Sequence, residues 1–122
     1  MRLVLDFDPR LHLIRSYGAG VLVIGERRLV RPCLVTPHRL LADWNAQSAD
    51  SLSESELEPL WALGCDIVLL GSGERQIIAA APLRAAFAAR RVALESMSLG
   101  AACRTYNILA GEGRNVTAAL FP

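Results

Sequence analysis

Residues 92–121, VALESMSLGAACRTYNILAGEGRNVTAALF, decide the fold. VALESM (92–97) is a short, mostly apolar run and NVTAALF (115–121) is rich in β-branched and apolar residues, so both read as strands. Between them LGAACRTYNILA (99–110) reads as a helix and stops at Gly111, a residue type that commonly ends helices in the left-handed conformation. Strand, helix, strand with short connections is the pattern of a right-handed parallel βαβ unit. Immediately upstream, CDIVLLGSG (65–73) reads as a buried strand ending at glycines, and PLRAAFAARR (82–91) as an alanine-rich helix with Pro82 suited to its first turn. The second half of the chain therefore predicts a mainly parallel sheet.

Further toward the N-terminus the signals change. SESELEPLWALG (53–64) opens with Ser53 and Glu56 in capping-box spacing and closes on Gly64, which predicts a short helix with a kink at Pro59. Residues 38–52 are polar and predict a loop pinned by Trp44, with no regular strand. GAGVLVIGERRLVRPCLVTP (18–37) reads as a hairpin turning at Gly25 and Glu26. Pro32 lacks an N–H, so the second arm should be an edge strand or bulged there. Residues 3–7 and 12–17 read as short extended pieces. The hairpin becomes an antiparallel layer or edge added to the C-terminal sheet.

The length of 122 residues suits a single domain, 1–122. Hydrophobic residues make up 52% of the chain, but they come in runs far shorter than the ~20 that a membrane helix needs. Asp6 and Asp8 stand where a signal peptide would carry its apolar centre, so the expectation is a cytoplasmic, not membrane-spanning, protein. Cys33, Cys65 and Cys103 show no CxxC spacing and, with His12 and His38, no zinc pattern. No disulfide, metal or cofactor is expected. A net charge of +1 with scattered arginines lacks the footprint of a nucleic-acid binder.

In parallel sheets ligands bind beyond the carboxyl ends of the strands. If the strands at 65–70 and 92–97 are parallel, GSGERQ (71–76) and the helix starting at 99 meet at one sheet edge. That edge gathers a candidate ligand site of Gly71, Ser72, Gly73, Ser98, Cys103, Arg104 and Asn107. The glycines fall short of a dinucleotide fingerprint, because Gln76 stands where its third glycine belongs; a tight turn at the strand end is the reading they favour. Cys103 has two readings: a thiol activated by the helix start and Arg104, or a buried core residue. Arg104 and Asn107, three apart, share a helical face that could hold an anion or could tie the glycine loop to the sheet edge. Tyr106 and Leu109 lie on a face suited to the core.

LLGSG (69–73), LESM (94–97), AACRTYNIL (101–109) and EGRNVTAAL (112–120), with YGAGVLVIGE and CLVTP in the first half, resemble a known family. It is the small α/β domain shared by mitochondrial complex I assembly factor 3, the adipogenesis-associated protein of the same domain type, and many bacterial and archaeal proteins of unassigned function. The resemblance implies a three-layer α/β fold with a mixed, mainly parallel central sheet, helices and an added N-terminal antiparallel β-hairpin layer. It also implies a non-catalytic interaction or assembly domain with a protein partner, and it carries over no catalytic residue. Leu99 stands where relatives often have threonine, leaving Ser98 as the hydroxyl at the helix start. The alternative is a protein that binds a small molecule or anion, an enzyme included, through the loop at 71–73 with Arg104 and Asn107.

Overall fold

The computed structural model describes residues 10–122, so the extended piece expected at 3–7 lies outside the described residues. In chain order the elements are β1 (Ile14–Gly18), β2 (Val21–Ile24), β3 (Arg27–Leu29), β4 (Cys33–Val35), β5 (Leu40–Leu41), α1 (Glu54–Ala62), β6 (Ile67–Ser72), α2 (Ala81–Ala89), β7 (Ala93–Met97), α3 (Leu99–Gly111) and β8 (Val116–Phe121). They build a three-stranded antiparallel sheet, β1-β2-β3, and a five-stranded mixed sheet in the order β5-β4-β8-β6-β7.

The two parallel units follow the expected pattern. β6 runs parallel to β7 on one side and to β8 on the other. The steps from β6 to β7 and from β7 to β8 therefore cross the sheet in opposite senses. Right-handed crossovers then require α2 and α3 to lie on opposite faces, and the core divides accordingly. Leu34, Val68, Leu70, Ala119 and Phe121 pack with Leu57 and Leu60 of α1 and Leu83 and Phe87 of α2. Cys33, Val35, Leu69, Ala118 and Leu120 pack with Ala102, Cys103 and Tyr106 of α3 and with Ile14, Leu22, Ile24 and Leu29 of the small sheet. Alternation along β8 explains the division, because successive strand residues face opposite ways. The result is three layers: α1 and α2, the five-stranded sheet, then α3 beside the three-stranded sheet.

The hairpin expectation needs one correction. The turn at Gly25 and Glu26 is present, with Ile24 opposite Arg27. The second arm, however, ends at Leu29, and after Pro32 the chain enters the other sheet as β4, antiparallel to β8. All three residues of β4 are buried, Cys33 and Val35 toward one cluster and Leu34 toward the other. Only an interior strand of a sheet covered on both faces can bury such a run, whereas β3 keeps Arg27 and Arg28 in solvent.

A second correction concerns 38–52, where no strand was expected. Leu40 and Leu41 form the edge strand β5, paired with Val35 and Leu34. Thr36 closes the connecting turn: its Oγ1 accepts from the backbone N–H of His38 at 3.3 Å and of Arg39 at 2.9 Å. A threonine turn of this kind carries no glycine or asparagine to announce it. Trp44 does pin the following loop, buried at 5.3 Å from the Phe121 ring and donating its indole N–H to the Glu56 carbonyl at 2.8 Å.

α1 has the full capping box: the Ser53 N–H donates to Glu56 Oε1 at 2.7 Å and the Glu56 N–H donates to Ser53 Oγ at 3.3 Å. The helix continues through Pro59 to Ala62. Among the described residues, no helix is long and apolar enough to cross a membrane.

Candidate functional site

The helix α2 leaves β6 toward one face of the sheet and α3 leaves β7 toward the other, which opens a crevice between the carboxyl ends of these two strands. Two short connections shape it. The Leu99 N–H donates to the Gly73 carbonyl at 2.9 Å, fastening the first residue of α3 to the end of β6. Ser98 caps α3, its Oγ accepting from the Ala101 N–H at 3.3 Å. Gly71 makes the approach possible: a Cβ there would run into the Cβ of Ala102 and meet the Leu99 Cα at 3.4 Å.

Above this junction lies an open cavity of about 870 Å³. Ser72, Gly73 and Glu74 line it from the end of β6, and Ser98, Leu99, Gly100 and Arg104 from α3. Tyr17 and the turn after it, Pro32, Gln47 to Ala49, and Phe121 with Pro122 complete the wall. Arg104 crosses the opening to Tyr17, donating from Nη1 to the phenol oxygen at 2.5 Å with its guanidinium carbon 5.9 Å from the ring centre. Gly100 leaves room for both, since a Cβ at that position would stand 2.9 Å from Tyr17 Cε2 and 3.1 Å from Arg104 Nη1.

Of the seven residues gathered from the sequence, Ser72, Gly73, Ser98 and Arg104 line the cavity. Gly71, Cys103 and Asn107 do not. Gly71 lies beneath the floor, against Ala102. Cys103 is fully buried in the core, where burial, with the neighbouring Cys33 adding to it, pushes its thiol up to about 12. The lowering expected from Arg104 is present but outweighed. Cys103 is thus a protonated packing residue at neutral pH.

Asn107 holds β1. Its Oδ1 accepts from the Ile14 N–H and its Nδ2 donates to the Ile14 carbonyl, both at 2.8 Å, so the amide takes the place of a neighbouring strand. Tyr106 adds a third bond, from its hydroxyl to the His12 carbonyl at 2.6 Å. Arg104 and Asn107 therefore share a face of α3, and their side-chain hydrogen bonds among the described residues go to β1 and not to the loop at 71–73. Sequence reasoning missed Tyr17 and Gly100. The only signal for Gly100 is a glycine in the first turn of a helix that otherwise favours alanine.

The cavity presents one guanidinium, one carboxylate and the hydroxyls of Tyr17, Ser48, Ser72 and Ser98, with neither cysteine nor histidine in its lining. A nucleophile paired with an imidazole base has no counterpart there. No three histidine, cysteine, aspartate or glutamate side chains converge into a metal-binding group among the described residues.

This architecture has known counterparts. A family model described as a protein of unknown function (DUF498/DUF598) matches residues 14–121. Human NADH dehydrogenase [ubiquinone] 1 alpha subcomplex assembly factor 3 is 32% identical over 111 residues, covering 89% of this chain and 60% of that protein. The chain spans about three fifths of the length of the curated relatives that carry this name in human and cattle. Among solved structures, a protein from Bordetella parapertussis superimposes with a TM-score of 0.83 at 32% identity, covering 92% of this chain and 96% of that one. A Mth938-like domain from Bordetella pertussis gives a TM-score of 0.82 at 27% identity, covering all of this chain (100%) and 92% of that one.

Proposed function

The chain belongs to the DUF498/DUF598 family, and from that membership we propose that it is a non-catalytic assembly factor that works by binding a protein partner. The partner class is a component of a respiratory or other membrane complex, the site of action is the cytoplasm, and residues 1–122 act as one domain. The reading is supported by the similarity to assembly factor 3 across 89% of this chain. One structural observation carries the non-catalytic part. Of the candidate residues on α3, Arg104 and Asn107 are engaged in holding β1, through Tyr17 and Ile14, while Cys103 is sealed in the core. Deleting the gene and resolving membrane complexes on native gels tests it. A lower level of assembled NADH dehydrogenase is expected, restored by the wild-type gene, and unchanged levels of every respiratory complex sink the reading.

A second reading rests on the cavity itself. Its position beyond the carboxyl ends of β6 and β7 is where open α/β sheets bind ligands, and Arg104 with the capped start of α3 would receive a small anion. Thermal shift with inorganic phosphate and small carboxylates decides it, because binding to the native state raises apparent stability. The second reading expects a shift in wild type that Arg104→Lys abolishes, since lysine cannot reproduce the planar fork.

A further inference from the structure

The chain has two histidines, far apart in sequence, and both line a second cleft at the end of β2 away from the Arg104 cavity. The cleft has a volume of about 710 Å³, within the range of small-molecule sites. Its rim carries His12, His38, Arg27, Arg39 and Glu26, and its apolar lining comes from Ile24, Leu40, Leu41 and Leu63. The rim is built rather than incidental. Thr36 Oγ1 fixes the backbone of His38 and Arg39, the Thr36 N–H donates to the Arg39 carbonyl at 2.8 Å, and the His12 N–H donates to the Pro37 carbonyl at 2.9 Å. β3 holds Arg27 opposite Ile24 through its backbone pairing.

Neither the Arg27 nor the Arg39 side chain has a hydrogen bond or ion pair among the described residues, although Arg31 in the same region is paired with Asp43 at 3.2 Å. The charge of the chain is also polarised. Residues 1–43 carry seven arginines against four acidic residues, whereas 44–122 carry six against eight, so the N-terminal part of the chain is the more positive one. Two guanidiniums against the single carboxylate of Glu26 leave an excess of one positive charge among these three groups, which matches a monoanion better than a phosphate dianion.

We propose that this cleft binds an aliphatic monocarboxylate, its head on Arg27, Arg39 and the two imidazoles and its hydrocarbon body along Ile24, Leu40, Leu41 and Leu63. Guanidinium recognises a carboxylate through two parallel bonds, and the leucines remove the chain from water. Such a site would let a lipid-derived acid mark or regulate the hairpin layer without touching the cavity at Arg104.

Titrating octanoate into the ¹⁵N-labelled protein and following backbone amides tests the proposal, with octanol and acetate as separate probes. Octanoate should move the amides of 24–27 and 38–41 saturably, and octanol and acetate should each bind about tenfold more weakly or worse, lacking the head or the body. Arg27→Gln with Arg39→Gln should weaken octanoate by about tenfold or more. Both side chains are exposed and make no hydrogen bond or ion pair among the described residues, so the spectrum outside the cleft should stay as in wild type. Leu41→Ser gives an independent check on the body alone. Absence of saturable shifts overturns the site, as does octanoate affinity unchanged in the double variant, octanol binding as tightly as octanoate, or shifts confined to Gly73 and Gly100.

Discussion

The two faces of the five-stranded sheet are closed by different means. On one face α1 and α2 cover Leu34, Val68, Leu70, Ala119 and Phe121 by apolar packing, reinforced by the Trp44 and Phe121 rings and by Trp61 at 4.7 Å from Phe87. On the other face α3 packs against the sheet, and the three-stranded sheet is then attached to α3 by directional bonds that reach 87 to 94 residues along the chain. Both closures bury apolar surface, Ile14, Leu22, Ile24 and Leu29 supplying it on the second face, but the second adds long-range bonds from α3 side chains to the backbone and side chains of the outer layer. The small sheet is a separate outer layer with its own ladder, so weakening the bonds that tie it to α3 should let it open locally while the five-stranded sheet persists.

Substitutions can break or sharpen this contrast. Phe87→Ala on the packed face should have the largest effect, about 4 kcal/mol lost in urea unfolding as a single cooperative transition. Comparable protection loss in both sheets by hydrogen exchange is expected; loss confined to α2 would show that this face opens piecemeal. Gly71→Ala should follow at about 2 to 3 kcal/mol, because the new methyl meets Ala102 and α3 must shift with everything attached to it. A negligible change in unfolding midpoint would mean that α3 is not held at this approach.

Asn107→Ala should cost about 2 kcal/mol, since it leaves the part-buried N–H and carbonyl of Ile14 without partners. Here the expected signature is local: faster exchange in β1 and β2 with β6 and β8 still protected. Uniform acceleration across both sheets would erase the distinction between the faces. Glu56→Ala at the start of α1 is the smallest change, about 1 kcal/mol near neutral pH. Bonds from the Ser53 and Gln47 N–H groups hold the Glu56 carboxyl below its usual range. Its contribution is therefore complete above the ordinary glutamate range and disappears as pH falls through the lowered folded value. Wild type and variant should converge in stability in acid, and a gap that widens there contradicts the assignment.

Much of the fold is legible in the sequence. Ser53 and Glu56 announced α1, the glycine after Ile24 announced the β2–β3 turn, and the strand-helix-strand pattern from 65 to 121 announced the parallel units. The site was legible in position more than in membership. The crevice edge follows from strand direction alone, which brought in Ser72, Gly73, Ser98 and Arg104. Cys103 and Asn107 are one and five residues beyond Ala102 on the same helix, yet the rotation of α3 sends one into the core and the other to β1. That rotation is set by what the helix packs against, and the sequence of the helix does not name it.

Local periodicity, caps and turn residues by themselves determined the three helices, the β2–β3 turn, β6 to β8 and the βαβ handedness, because these depend on contacts a few residues apart and on backbone chirality. Tertiary structure alone decided that CLV at 33–35 joins the large sheet, that Asn107 completes β1, and that His12 and His38 share a cleft. Each of those pairings satisfies buried surface or backbone groups supplied from a distant part of the chain. No short stretch contains both halves of such a pair, so only the assembled fold reveals them.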